Sequence, residues 1–132
     1  MADLAELTNG SDDEIAGRLH DAGTEQVLDA VFEGMRERFQ PDKAAGVDAT
    51  LQWLITDDGT EHPYTLTVKD GTISTERGQA DSPKVTLTTD AVSFAKLMAG
   101  KAVGPQLYMT GKLKINGDLM LAQRMTSFFA TA

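Results

Sequence analysis

The 132-residue sequence contains no cysteine and no long apolar run. Without cysteine, the chain forms no disulfide, no thiolate metal site and no cysteine nucleophile. Its apolar runs fall far short of the roughly 20 residues that a helix needs to cross a bilayer. The opening segment MADLAELTNGSDDE lacks the basic and apolar regions of a secretion signal. These absences predict a cytoplasmic protein that does not insert stably into a membrane.

The sequence also lacks the usual motifs of catalytic and cofactor sites. It has no nucleophile elbow, no glycine-rich phosphate loop and no pair of histidines with the spacing of a zinc-binding helix. His20 and His62 fall in different segments and are expected at the surface, while Asp57-Asp58-Gly59 lacks the ligand series of a calcium loop. The sequence therefore predicts a protein that is not an enzyme, with no catalytic residues, no metal site and no cofactor.

The formal net charge of −8 is unevenly distributed along the chain. Residues 1–62 carry fifteen acidic and four basic side chains, whereas residues 63–132 carry five acidic and eight basic ones. The acidic half repels nucleic acid and anionic membrane, so nucleic acid is not an expected partner. Two interpretations of this half remain open, namely solvated helix faces or a docking surface for a basic protein partner.

The first third of the chain has helical periodicity. Ser11 and Glu14 have the spacing of a capping box, in which each side chain accepts a hydrogen bond from the other residue's amide. Gly23 is expected to end this helix. Thr24 is expected to cap a second, more strongly amphipathic helix that ends before Pro41.

From residue 48 onward the apolar period changes from helical to two. Apolar and polar residues alternate on both sides of Asp57-Asp58-Gly59, which predicts a hairpin, and Asp70-Gly71 predicts a second one. A more polar strand and then a fourth strand beginning at Val85 complete a predicted antiparallel meander. One face of this sheet is rich in threonine and lysine, so the other face is expected to be covered.

Helical periodicity returns at residues 90–100 and again, briefly, at residues 104–109. An order of helices, meander, helix, strand and helix predicts a two-layer α+β domain with helices over the apolar sheet face. We expect residues 11–132 to form this single domain, since their number suits one core, and residues 1–10 to be flexible.

The closing stretch GKLKINGDLMLAQRMTSFF, residues 111–129, is predicted to form a short strand, a tight turn and an amphipathic helix. Asp118 is expected to cap that helix. Its apolar stripe contains Leu121, Ala122, Met125, Phe128 and Phe129. Leu119 and Met120 fall outside the stripe. The helix therefore needs a second apolar neighbour besides the ordinary core.

Four stretches of the chain carry a specific resemblance: DATLQWLITDDG, YTLTVKDGTI, VTLTTDAVSFAKLMAGK and LYMTGKLKINGDLMLAQRM. Together they resemble the sterol carrier protein 2 (SCP2-like) family, whose usual closing unit is a GKLKINGD strand followed by an amphipathic helix. The resemblance runs from Thr24 to Phe129. It implies a mainly antiparallel five-stranded sheet backed by helices, with an apolar tunnel between the layers for sterols, fatty acids or acyl-CoA. It implies no chemistry.

Ligand-lining residues are expected among methionines and aromatic residues near the interior, because flexible methionine side chains adapt to irregular ligands. The predicted ligand-binding set is Phe32, Met35, Phe94, Met98, Met109, Leu119, Met120, Met125 and Phe128. Ordinary core packing is the alternative for each. Leu119 and Met120 are predicted at a ligand entrance, or else against the helix at residues 94–98. Trp53 and Tyr64 are predicted to be sheet core.

Two functions of different classes follow from the resemblance. One is non-enzymatic lipid binding and transfer in a tunnel closed by the C-terminal helix. The other is an accessory subunit that presents a lipid-like substrate to an enzyme or scaffolds a complex. A core without a cavity is a third interpretation. Arg38, Arg77 and Arg124 are candidates for binding an acyl headgroup. The ending FFATA lacks the peroxisomal targeting tripeptide of some family members, which keeps the cytoplasm as the expected location.

Overall fold

The computed structural model describes residues 4–128, so Phe129 of the predicted terminal stripe lies outside it. The α-helices in this range are Leu4–Leu7 (α1), Asp12–Ala22 (α2), Thr24–Glu37 (α3), Ala91–Met98 (α4), Gly104–Met109 (α5) and Leu119–Met125 (α6). Short 3₁₀ helices follow α3 at Pro41–Ala44 and α6 at Thr126–Phe128. Among the described residues, no helix is both long enough and apolar enough to cross a membrane.

Five strands form one sheet in the order β3-β2-β1-β4-β5. The strands are Ala49–Asp57 (β1), Thr60–Lys69 (β2), Thr72–Arg77 (β3), Val85–Asp90 (β4) and Leu113–Gly117 (β5). The predicted α+β class and the five-stranded sheet are confirmed.

The sheet is mixed rather than wholly antiparallel. The pairs β1–β2, β2–β3 and β4–β5 are antiparallel, whereas β4 lies parallel to β1. The sequence predicted β4 as the last strand of an antiparallel meander, beside β3, and this placement is wrong. β3 stays at the sheet edge because the chain leaves it and crosses to the far side of β1.

Residues 78–84 make that crossing over the polar face of the sheet. The amide of Ala80 donates to Gln52 Oε1 (2.7 Å), and Thr65 Oγ1 donates to the carbonyl of Gly78 (2.8 Å). Gln52 and Thr65 are partners in the β1–β2 register and share this face. The segment therefore covers part of the face that the helices leave open, which explains why Gln52 is buried.

The opposite face of the sheet forms the core with the helices. Its central residues pair in register as Leu51 with Val85, Trp53 with Leu87 and Ile55 with Thr89. All six are buried. α3 packs on β2 through Phe32 against Tyr64, α4 packs on β1 through Phe94 against Trp53, and α6 contacts β4. The predicted helical layer over the apolar face is thus present.

Local signals placed most helix starts correctly. Glu14 N–H donates to Ser11 Oγ (3.3 Å) and Ser11 N–H to Glu14 Oε1 (3.1 Å), which confirms the capping box. Asp118 caps α6 by accepting the amide of the residue three positions on (3.0 Å). Thr24 does not cap α3. Gly23, with φ of 89°, takes the cap position without a side-chain bond, and Thr24 is the first helical residue.

Both predicted hairpins have two-residue turns. Asp58 and Gly59 have φ of 49° and 80°, and Asp70 and Gly71 have φ of 53° and 71°. Two successive positive φ angles define the type I′ turn that Asp-Gly favours.

The start of the described chain contacts α2. Leu7 of α1 is buried, and Arg18 Nη1 donates to the carbonyl of Leu7 (3.4 Å) and to that of Asn9. The flexibility of residues 1–10 stays a prediction.

Candidate functional site

Four aromatic rings lie together between the sheet and helices α3 and α4. Phe32 stacks on Tyr64, with ring centroids 4.2 Å apart and planes 14° apart, and on Phe94 at 5.3 Å and 18°. Phe94 also meets Trp53 at 5.1 Å, with the planes inclined at 66°. This aromatic cluster, formed by Phe32, Trp53, Tyr64 and Phe94, joins one residue from each of α3, β1, β2 and α4.

Trp53 brings a polar atom into the cluster. Among the described side chains, its indole Nε1 is a buried donor without a hydrogen-bond partner. Leaving such a donor unpaired costs about 1–3 kcal/mol. An apolar interior therefore holds one N–H group that an oxygen acceptor could satisfy.

Tyr64 presents its ring to the cluster and its hydroxyl to a charged network at the sheet edge. Tyr64 Oη donates to Asp29 Oδ1 (2.7 Å), and Arg77 binds both carboxylate oxygens of Asp29, with Nε 2.8 Å from Oδ1. Arg77 Nη1 also lies 2.8 Å from Glu25. The hydrogen bond from Arg77 lowers the pKa of Asp29. Burial, followed by the bond to Asp29, raises the pKa of Tyr64.

The structure divides the nine predicted ligand-binding residues into interior and surface groups. The buried residues are Phe32, Met35, Phe94, Met125 and Phe128, and Met98 is partly buried against the core. Leu119 is 44% exposed, Met120 81% and Met109 85%. The expectation that Met109 lies near the interior is wrong, because its position on α5 turns it to solvent. Met120 is not at the interior edge of α6 either, and its exposure agrees with its predicted position outside the apolar stripe. Trp53 and Tyr64 are sheet core, as predicted.

The end of α6 is joined to the segment after α3. Gln40 N–H donates to the carbonyl of Phe128 (2.6 Å), and Arg124 Nη2 donates to that of Ala45 (3.1 Å). The Arg124 guanidinium also lies 5.9 Å from the centre of the Phe128 ring. Phe128 is completely buried. The described part of the C-terminal segment thus packs into the core and is held to the segment after α3 largely by bonds to backbone carbonyls.

The start of α6 depends on Gly117, the last residue of β5. Gly117 has φ of 111°, and a Cβ built on it would lie 2.3 Å from the carbonyl oxygen of Lys84. That carbonyl accepts the amide of Asp118 (2.9 Å). Only glycine fits here, so the NGD sequence fixes the point at which α6 leaves the sheet.

An open groove of about 470 Å³ lies where α3 ends beside β3. It is lined by Glu33, Arg36, Glu37, Phe39, Pro41 and Ile73. None of the nine predicted residues lines it, so the groove and the predicted site are separate features.

The three arginines considered for a headgroup already have protein partners. Arg77 binds Asp29 and Glu25, and Arg124 binds backbone carbonyls. Arg38 Nε donates weakly to the carbonyl of Gly34 at 3.4 Å. A headgroup would have to compete with these contacts.

Comparison with known sequences identifies the family. A model of the SCP-2 sterol transfer family matches residues 28–130. The oleate-induced peroxisomal protein POX18 of Candida maltosa is 32% identical over 102 residues, which cover 75% of this chain and 80% of that protein.

Solved structures share the fold at low identity. Sterol carrier protein 2 like 2 of Aedes aegypti has a TM-score of 0.66 and 18% identity, with 80% of this chain and 98% of that chain covered. Sterol carrier protein 2 of Yarrowia lipolytica has a TM-score of 0.59 and 24% identity, over 67% and 71%. The inverting sec-alkylsulfatase Pisa1 of Pseudomonas sp. has a TM-score of 0.66 and 22% identity, over 74% of this chain but 15% of that one. The family match and the Candida maltosa relative show that this chain belongs to the SCP-2 sterol transfer family.

Proposed function

We propose that this protein binds and transfers a lipid whose tail lies between the sheet and the helices, with α6 as the element that opens. Membership of the SCP-2 sterol transfer family supports lipid binding and transfer in general. The sterol, fatty acid or acyl-CoA class of ligand and the role of α6 go beyond that membership. No chemical step is part of this proposal.

The observation that carries the proposal is the two-sided apolar character of α6. This seven-residue helix buries Leu121, Ala122 and Met125 while it exposes Leu119 and Met120. Neighbouring apolar side chains on an exposed helix surface can mark a site that meets an apolar partner. A lipid that passes beneath or beside α6 provides that partner.

The aromatic cluster supplies the interior of the proposed site. At about 25 cal/mol per Å², enclosing about 300 Å² of apolar lipid surface contributes about 7.5 kcal/mol before the costs of association. Met35 and Met125 lie buried in the same core and can adjust to different tails. A carbonyl, carboxylate or hydroxyl oxygen that reaches Trp53 Nε1 would satisfy the unpaired donor.

The single tryptophan of the chain makes the test direct, because Trp53 lies within the proposed site. A titration of the lipid-free protein with palmitate, cholesterol and palmitoyl-CoA should change the tryptophan emission in a saturable way for at least one of them. Native mass spectrometry of gently purified protein should detect a co-purified lipid. No emission change together with no bound lipid would contradict the proposal and favour a core without a cavity.

Met120→Lys tests the proposed ligand entrance without altering the interior of the site. It should slow the emission change on mixing with lipid, because a lysine ammonium is costly to bring into contact with an apolar tail. Val103→Lys is the control, since Val103 is also a mostly exposed apolar residue, at 56%, and lies outside the predicted set. If both variants slow the emission change equally, α6 has no specific role in lipid entry.

A second candidate function is an accessory domain that presents a lipid-like substrate to an enzyme. It is favoured by the alkylsulfatase structure, in which the similar region forms only 15% of a much longer chain. Only part of the acidic half is available to bind a protein partner, since Asp12 already binds Lys96 and Asp29 already binds Arg77. Affinity purification from the native cell at moderate salt should then recover one enzyme in stoichiometric amount, and recovery of no partner would contradict this candidate.

The cellular location stays a prediction. The name of the Candida maltosa relative describes that protein as peroxisomal, whereas the sequence of this chain predicts the cytoplasm. Microscopy of the tagged full chain in its native cell would decide between the two.

A further inference from the structure

The fold brings His20 together with two aspartates that are far away in the sequence. His20 Nε2 lies 3.1 Å from Asp57 Oδ1 and 3.1 Å from Asp58 Oδ2. One possible ligand atom from each of the three residues lies within 4.8 Å of the other two. The sequence predicted no metal site because no single segment has the spacing of one, and that reasoning could not detect ligands that come from two different elements.

Backbone geometry holds these three residues in place. His20 lies in the last turn of α2, where its carbonyl accepts the amide of Gly23 (3.2 Å). Asp57 is the last residue of β1, and Asp58 occupies the first position of the type I′ turn with φ of 49°. The end of a helix and a tight hairpin thus present one imidazole and two carboxylates to the same point. Asp58 is largely exposed and His20 half-exposed, which leaves an open path from solvent.

The spacing suits a transition-metal ion. Zn²⁺ binds imidazole nitrogen and carboxylate oxygen at about 2.0–2.2 Å, so two ligands at angles of about 90–110° lie about 3.0–3.4 Å apart. Both separations from His20 Nε2, 3.1 Å each, fall in that range. One nitrogen and two oxygen ligands suit Zn²⁺, Co²⁺ or Ni²⁺, with water in the remaining positions.

We propose that His20, Asp57 and Asp58 form a divalent transition-metal site that joins the end of α2 to the β1–β2 hairpin. The ion would replace the proton that otherwise lets His20 bridge the two carboxylates. It would act as a structural link between the two elements, independent of the lipid-binding site.

Competition with a proton distinguishes the metal site from an ordinary ion pair. The groups that face His20 are Asp57, Asp58 and Asp21, and the hydrogen bond to Asp57 is the largest cause of its raised pKa. A metal ion needs the unprotonated Nε2, so it competes with a proton there and binds more tightly as pH rises. An ion pair between protonated His20 and the aspartates instead weakens as pH rises.

His62 provides a matched control for His20. Its Nδ1 lies 3.9 Å from Glu25 Oε2, so it too is a histidine beside a carboxylate. Glu25, however, already binds the guanidinium of Arg77 at 2.8 Å. A metal ion is therefore expected to bind more weakly at His62 than at His20.

The test is a Zn²⁺ titration of the EDTA-treated, lipid-free full chain by calorimetry, together with Co²⁺ absorption spectroscopy. The wild type should bind one ion per chain and gain thermal stability with Zn²⁺. His20→Gln and Asp58→Asn should each weaken binding by about tenfold or more, while His62→Gln changes it by less than about twofold. Heats measured in buffers of different ionisation enthalpy should show release of a proton.

Three outcomes would overturn the site: no saturable binding at one ion per chain, equal binding by wild type and His20→Gln, or equal losses in the His20 and His62 variants. His20 and Asp58 are exposed, so their variants should keep the fold, and circular dichroism checks this. Because the titration contains no lipid, its failure leaves the lipid-binding proposal unaffected, and failure of lipid binding leaves the metal site unaffected.

Discussion

Helices α3 and α6 cover the same face of the sheet but are attached to it differently. α3 has fourteen residues, stacks Phe32 in the aromatic cluster and is joined through Asp29 to Tyr64 and Arg77 on two strands. α6 has seven residues and exposes Leu119 and Met120. It is joined to the segment after α3 by hydrogen bonds from Arg124 to a backbone carbonyl there and from Gln40 to the carbonyl of Phe128. One helix is fixed by packing and charge, whereas the other is held by a small buried stripe. The proposed mechanism uses both helices, with α3 as a fixed wall and α6 as the element that opens.

The largest expected effect is that of Phe32→Ala. Phe32 is buried and stacks on two other rings, so its removal should lower the free energy of unfolding by about 3–5 kcal/mol. Urea denaturation measures this value. A loss below about 1 kcal/mol would mean that α3 is not the firm wall described above.

Met125→Ala should have a smaller effect on stability. Met125 is buried on α6. Its replacement should lower the free energy of unfolding by about 2 kcal/mol, the low end of the range for buried methionines, since neighbouring side chains can relax into the space. The same variant should weaken lipid binding, measured by Trp53 emission. If Met125→Ala cost as much stability as Phe32→Ala, the two helices would be equally fixed and the contrast between them would be lost.

Tyr64→Phe tests the charged attachment of α3 through its dependence on pH. The pKa of Tyr64 is raised in the folded state, so the protonated phenol stabilises the fold fully below pH 10, its ordinary value, and this contribution is lost as pH rises above it. The variant should cost about 1 kcal/mol at neutral pH, because the bond to Asp29 is lost.

At about pH 11 the difference in free energy of unfolding between the wild type and Tyr64→Phe should be smaller, because the variant has no phenol at position 64 to ionise. Urea midpoints at the two pH values measure this change. Tyr108→Phe, on the exposed tyrosine of α5, is the control and should show no such trend. A deficit of constant size at both pH values would argue against the proposed role of the Tyr64 proton.

Met120→Lys should have the smallest effect on folding. Met120 is mostly exposed, so the free energy of unfolding should change by less than about 0.5 kcal/mol. Transfer of a fluorescent fatty acid to acceptor vesicles should nevertheless slow by about tenfold, corresponding to about 1.4 kcal/mol of lost apolar contact. Unchanged transfer would place the entrance elsewhere.

Short-range signals predicted much of this fold. Ser11 with Glu14, the two Asp-Gly turns and the NGD sequence before α6 each act within a few residues, and each was located correctly. Such signals do not determine which strands become neighbours. The position of β4 depends on where residues 78–84 cross the sheet, and that crossing is stabilised by Gln52, which lies far away in the sequence.

The site was less predictable for the same reason. Phe32, Phe94 and Phe128 were expected in the interior and are buried, since large aromatic residues in amphipathic helices nearly always pack. Met109 has the same apolar character but is exposed, because a short helix can turn either side to solvent. The exposure of Met120 agrees with its position outside the predicted stripe of α6. The network of Asp29, Tyr64 and Arg77 joins positions 35 and 48 residues apart and has no local signature.

Hydrogen exchange of the lipid-free and lipid-loaded protein tests the central claim most directly. In the lipid-free protein, amides of α6 should exchange much faster than those of α3, because α6 has fewer buried contacts. Bound lipid should slow exchange in residues 118–128 and leave α3 nearly unchanged. Exchange in α6 that is as slow as in α3 without lipid, or that does not respond to lipid, would contradict α6 as the opening element.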